Sequence, residues 1–318
     1  MNNLGLLFCL NATVPVFLMM MAGYILRCMK MLDESFINKL NHLNFKVTLP
    51  ILLMMDIAST DFYQVMDFRF VLFCFLVTLG SILGITVFAI LFIKKKSILG
   101  EFIQASYRGS AAVLGIAFVQ NIYGSTSVAP LMVFATVPLY NVMAVVILLF
   151  AVPHNHIKKK SEMIKESLIE IIQNPIVVGI TIGMILSLVK FKIPYVMDKT
   201  LQNFSVLATP LALIGLGAGF EGKKVAGQLA PTILSGMIKL VVLPAIFLPL
   251  AVKLGFADEK LIAILIMLGA PTTVSAYIMA RNTGYEGVLS SGCIVFSTFL
   301  SSITISFWLF VLKLKGVV

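Results

Sequence analysis

Near the end of the chain, the stretch LGAPTTVSAYIMARNTG (Leu268 to Gly284) follows the apolar run LIAILIM. It places Gly269, Pro271, Thr272, Thr273 and Ser275 where the middle of a membrane helix belongs. A proline inside a helix removes one hydrogen bond and crowds the preceding turn, at a cost of about 3 kcal/mol. In lipid the freed carbonyls find no water, so such a break survives only where it is buried in protein or lines a wet cavity. The helix must also start again at mid-membrane, and its bare N–H groups and positive dipole end attract anions. A second segment of this kind, SYRGSAAVLGIAFVQNIYG, carries Ser110, Gly115 and Ala117 among small and hydroxyl residues where other apolar runs carry Leu, Phe and Ile. Small residues also serve plain close packing of helices. Interrupted segments at corresponding places in two halves of a chain are, however, the pattern of a substrate site at a repeat interface.

Charges inside apolar runs are the other residues able to do chemistry. Lys239 lies nine residues into its run, roughly 14 Å deep at about 1.5 Å per residue. A charge at that depth costs on the order of 3 kcal/mol, so it faces the protein interior. There it meets either a substrate or the carbonyls of unwound chain, and both readings stand. Lys46 is placed similarly deep, whereas Arg108 and Lys39 are near enough to one face to snorkel. Asp56 is the one acid inside a run; it is a possible proton or cation site, or it snorkels to the outer interface. No HExxH, GxSxG or Walker loop occurs, and His42, His154 and His156 form no ligand constellation, so neither an enzyme nor a metal site is expected. Cys9, Cys28, Cys74 and Cys293 include no CxxC pair and are read as apolar filler, with no disulfide or metal site.

The elements that must position these residues follow from composition. Of 318 residues, 59% are hydrophobic and 12% charged, and the mean hydropathy is +1.03. A soluble domain is about half apolar and a quarter charged, so this is a polytopic membrane protein. The net charge of +10 comes with no basic face interleaved with aromatics, which speaks against nucleic acid. Apolar runs long enough to cross a hydrocarbon layer of about 30 Å fall at 6–27, 35–59, 69–93, 103–123, 128–152, 174–190, 200–220, 230–252, 260–281 and 287–312. When the loops are dealt alternately to the two sides, Lys and Arg divide twelve to eight, and both triple-lysine runs fall on the richer side. That side is read as cytoplasmic, with both termini outside and the protein in the cell membrane.

Pro50 and Pro210 each interrupt a run and lie 160 residues apart. The same offset carries the first, third and fifth runs onto the sixth, eighth and tenth, and five spans per half make the second copy inverted. The expected organisation is a first five-span repeat at 1–152, a cytoplasmic loop with a surface helix at 153–173, and a second repeat at 174–318.

Taken together, INKLNHLNFKVTLPILL, RGSAAVLGIAF, NPIVVGITIGMILSL, LATPLALIGLGAGF, the lysine of MIKLVVLP and GAPTTVSAYIMARNTG resemble the auxin efflux carrier family of membrane transport proteins in order and spacing. The resemblance implies an all-α membrane protein of ten helices, with spans 4 and 9 broken and crossing and a fold related to bile acid sodium symporters. Spans 3 to 5 and 8 to 10 would form an elevator-like moving core, and 1, 2, 6 and 7 a scaffold that dimerises. It also implies organic anion substrates such as mono- or dicarboxylates. The chain departs from the family by carrying Ala117 where a proline is common, so its span 4 break would rest on Gly115 and its neighbours. It also carries Ser110 and Ser275 where Asn is common. The expected substrate site is Ser110, Gly115, Ala117, Lys239, Pro271, Thr272, Thr273 and Ser275, with Asp56 for ion coupling, no cofactor, and a coupled proton or sodium ion. A non-transporting receptor or sensor and a passive anion channel are the alternatives to a carrier.

Overall fold

The computed structural model describes residues 18–59, 67–111, 128–151, 173–220 and 222–318, together with Pro15 and Ile169. Among these residues there is no strand. In chain order the helices are α1 (Leu18–Cys28), α2 (Glu34–Leu43), α3 (Leu49–Ala58), α4 (Phe68–Phe92), α5 (Leu99–Tyr107), α6 (Ala129–Ala151) and α7 (Pro175–Leu188). They continue with α8 (Tyr195–Ala218), α9 (Gly222–Ala226), α10 (Leu229–Met237), α11 (Leu243–Lys253), α12 (Asp258–Gly269), α13 (Ser275–Asn282) and α14 (Val288–Leu314). Gly115, Ala117 and most of the 153–173 loop lie outside the described residues.

Local sequence explains several helix starts. Asp33 accepts from the amide of Phe36 at 2.7 Å, Asp67 from Phe70 at 3.0 Å, and Asn174 from Ile176 at 3.0 Å just ahead of Pro175, each filling a free amide of a first turn. The start of α14 is capped from another element. Gly287 takes a left-handed φ of 73°, and the buried Glu101 carboxylate of α5 accepts from the amides of Gly287 at 3.2 Å and Ser290 at 2.8 Å.

Among the described residues, four stretches are long and apolar enough to cross a bilayer: Phe68–Phe92, Leu131–Ala151, Tyr195–Ala218 and Leu229–Lys253. The helix α14, bent by 41°, makes a fifth. The outer surface of α4 shows the solvent it was built for: Leu76, Leu83, Val87, Ile90, Leu91 and Phe92 all face outward. That exposure would be costly in water and is favourable against lipid tails.

Neither Pro50 nor Pro210 breaks its helix, contrary to the sequence expectation. Pro210 sits inside the continuous α8, where Asn44 Nδ2 donates to the nearby Ala208 carbonyl at 2.9 Å. Pro50 follows a wide turn over Asn44–Thr48, in which the amide of Leu49 reaches back five residues to Asn44. The same device precedes Pro244, over Ile238–Val242. The wider turn makes room for the proline ring. The Leu240 carbonyl, four residues before Pro244 and therefore without its usual donor, accepts from the Trp308 indole at 3.1 Å.

The helices pack in two groups. In one, α3 lies against α7 and α8. Its contact with α7 is close because Gly179 and Gly183 present no side chain: a Cβ there would stand 2.5 Å from the Pro50 carbonyl oxygen and 2.6 Å from that of Met54. The α1 helix joins this group through Arg27, which donates to the Ala218 carbonyl at 2.6 Å. The other group holds α4, α5, α6, α10, α11, α12 and α14. Short α13 touches both, reaching α2 and α8 on one side and α5, α6 and α14 on the other.

Candidate functional site

Two interruptions meet at the centre of the molecule. The α5 helix ends at Tyr107 and Arg108, Gly109 and Ser110 are non-helical, while α12 ends at Gly269 and the chain stays non-helical until α13. The segments join through one backbone hydrogen bond, Ser110 N–H to Pro271 carbonyl at 2.9 Å. Thr272 fastens its segment on both sides, its hydroxyl donating to the Ala105 carbonyl at 2.9 Å and its amide to Ser297 Oγ at 3.0 Å. Gln104 Nε2 adds a bond to the Ala276 carbonyl at 2.9 Å. Breaks of this kind leave carbonyls behind, and the fold supplies their donors.

Lys239 is the principal donor. Pro271 has no amide to offer the Met267 carbonyl four residues earlier, and the Tyr107 carbonyl ends its helix. Lys239 Nζ, completely buried, reaches Tyr107 at 2.9 Å and Met267 at 3.1 Å, and the Tyr140 hydroxyl also donates to Met267 at 3.3 Å. The ammonium thus sits at the negative ends of two half-helices, where a cation is favoured. Of the two readings of Lys239, the geometry supplies the carbonyls. The residue lies behind the crossing and does not line the cavity in front of it. A Cβ on Gly109 would come within 3.0 Å of Lys239 Nζ and 3.3 Å of the Ala270 carbonyl, so a side chain here would press on both.

That cavity, of about 190 Å³, opens between the two packing groups. One wall is the break side, with Arg108, Ser110, Pro271, Thr272, Thr273 and Ser275. The facing wall is the stripe Leu49, Leu52, Leu53 and Asp56 of α3, with Ala212 and Leu213 of α8. The four α3 residues recur at helical spacing and share one face. Of the expected site residues, Ser110, Pro271, Thr272, Thr273, Ser275 and Asp56 therefore come together.

Asp56 lines the cavity, the first of the two positions its sequence reading left open. Two other charged residues are placed differently from the sequence expectation. Arg108 is only 2% exposed and does not snorkel, because its guanidinium is held by partners inside the fold. Its guanidinium donates to Ser275 Oγ at 2.8 Å, to Asn141 Oδ1 and, at 2.7 Å, to Met279 Sδ. Lys46, expected deep, is exposed. Sequence reasoning missed Arg108 as a site residue, and missed Asn141 with it; the adjacency of Arg108 to Gly109 and Ser110 was the available signal.

The α13 helix begins at Ser275 beside the same cavity, so the positive end of a helix, a hydroxyl pair (Thr273 Oγ1 to Ser275 Oγ, 3.2 Å) and a guanidinium share one wall. That wall can bind an anion. Among the described residues there is no cluster of side chains able to hold a metal ion.

Comparison with known proteins places this architecture. No curated protein matches the chain. The family model described as membrane transport protein matches residues 8–309, nearly the whole of the chain. This is a multi-pass membrane protein of a family of transporters: the chain belongs to the auxin efflux carrier family of membrane transport proteins.

Proposed function

We propose that the protein is a secondary carrier for a small organic anion, a carboxylate, driven by the substrate's own gradient or by coupled protons or sodium ions. The observation that carries this reading is the junction of two interrupted segments, Ser110 to Pro271, on the wall of a cavity between two groups of helices. Irregular backbone at membrane depth is stable only against protein or a wet cavity, and crossing half-helices are a recurrent way to build a substrate site there. In this reading the chain has ten spans in two inverted repeats, 1–152 and 174–318. Spans 3 to 5 and 8 to 10 move as a core past a scaffold of 1, 2, 6 and 7 that pairs with a second copy. The site is Ser110, Pro271, Thr272, Thr273 and Ser275, and Lys239 supports it from behind. Asp56, on the scaffold wall, is the candidate for the coupling ion. Elevator-like motion of the core would carry the substrate across a cell membrane, with both termini outside.

The test is uptake of carboxylates into sealed proteoliposomes, with parallel electrical recording. Saturable uptake with accelerated exchange from preloaded vesicles is the expected result. Conductance far above carrier turnover would assign a channel, and binding without flux would assign a receptor; either would reject the carrier.

A further inference from the structure

Both buried cations near the crossing have neutral partners, but their situations differ. Lys239 is enclosed by two carbonyls at helix ends. Arg108 is almost wholly buried, lines the cavity, and bonds only a hydroxyl, an amide oxygen and a thioether. Among the described residues no carboxylate lies within ion-pair distance of its guanidinium. A charge removed from water without a counter-charge is costly. The fold tolerates it where an anion arrives to complete the pair. The guanidinium has five N–H donors. Asn141 and Ser275 take both hydrogens of Nη2 and Met279 one of Nη1, which holds the group in place and leaves the Nε hydrogen and one Nη1 hydrogen for a guest.

The far wall is of opposite character. Between Arg108 and Asp56 it is paved by leucine and alanine, and Asp56 is the one acidic side chain among the lining residues. A second carboxylate on the guest would therefore meet apolar surface, which penalises an unpaired charge.

Resting on the carrier reading above, we propose that Arg108 is the residue that grips the substrate's carboxylate, and that the apolar floor restricts the site to substrates with a single carboxylate on an apolar body. Dicarboxylates are excluded.

Binding of three matched probes to the purified full-length protein tests this: hexanoate, the neutral hexanamide and the dicarboxylate adipate, by ligand-induced thermal shift and calorimetry. Wild type should bind hexanoate at least tenfold more tightly than either of the others. In Arg108→Gln the preference for hexanoate over hexanamide should vanish, whereas Arg108→Lys should keep part of it. Because each result is a ratio within one preparation, a partly folded variant still reports. If Arg108→Gln keeps the full preference for hexanoate over hexanamide, the assignment of Arg108 is overturned. Adipate binding to wild type as tightly as hexanoate overturns the single-carboxylate rule. The carrier reading stands or falls separately, on carboxylate uptake by wild type.

Discussion

Between Gly269 and Ser275 the chain leaves the helix at a proline that offers no amide; between Tyr107 and Ala111 it leaves with no proline at all. The first break is dictated locally. Pro271 cannot close the bond to Met267, and Lys239 and Tyr140 fill the gap. The second is dictated by its surroundings: Gly109 fits against Lys239 and the Ala270 carbonyl, and Arg108 is drawn to Asn141 and Ser275. One segment thus breaks itself and the other is broken by its partner. Lys239, bonded to both, makes the two breaks a single unit.

This dependence can be probed by removing its parts. Lys239→Met leaves the Tyr107 carbonyl without its donor and Met267 with Tyr140 alone. A buried polar group without a partner costs about 1–3 kcal/mol, so thermal unfolding in detergent should show a loss of about 2–4 kcal/mol. Next comes Gly109→Val, which forces a Cβ into a 3.0 Å gap beside Lys239 Nζ. Overpacking of this kind costs about 1–3 kcal/mol. A cysteine pair at 110 and 272 should also cross-link less readily in this variant than in a glycine control. Thr272→Val, which keeps shape and the amide bond to Ser297 but loses the hydroxyl bond to Ala105, should cost about 1 kcal/mol.

The smallest effect belongs outside the membrane. Lys260 donates to Asp67 at 2.5 Å, and that bond, the first of several causes, holds the Asp67 carboxyl below the usual range. A depressed folded value means the contribution is present above about pH 4, the ordinary carboxylate value, and is lost as pH falls below it. Both side chains are substantially exposed, at 40% and 30%, and solvent screens the pair. Asp67→Asn should therefore cost only a few tenths of a kcal/mol at pH 7, and the difference from wild type should disappear in acid.

The contrast between the breaks also explains what the amino-acid sequence revealed. Proline has a local signature, so the span 9 interruption and its hydroxyls were legible residue by residue. Glycine and arginine carry no such mark. The span 4 break was sought at Gly115 and Ala117, which lie outside the described residues, while the chain already leaves the helix at Arg108. Position along an apolar run does not reveal that Arg108 is held inward by Asn141 and Ser275 instead of snorkelling. Proline misled in the opposite sense at Pro210 and Pro50. A missing amide need not end a helix: a widened turn makes room for Pro50, and Pro210 sits inside a continuous helix. Membrane class and family rested on composition and on motif order spread over the whole chain, and so did not depend on any one local reading.

The central claim is that the crossing of the two breaks builds the transport site, and Pro271→Leu tests it most directly. Leucine restores an amide for Met267 and lets α12 continue through the gap, displacing Lys239 and the Ser110 bond. Carboxylate uptake into proteoliposomes should fall at least tenfold in protein that remains folded by circular dichroism and size-exclusion chromatography. Uptake equal to wild type in the folded variant would contradict the account.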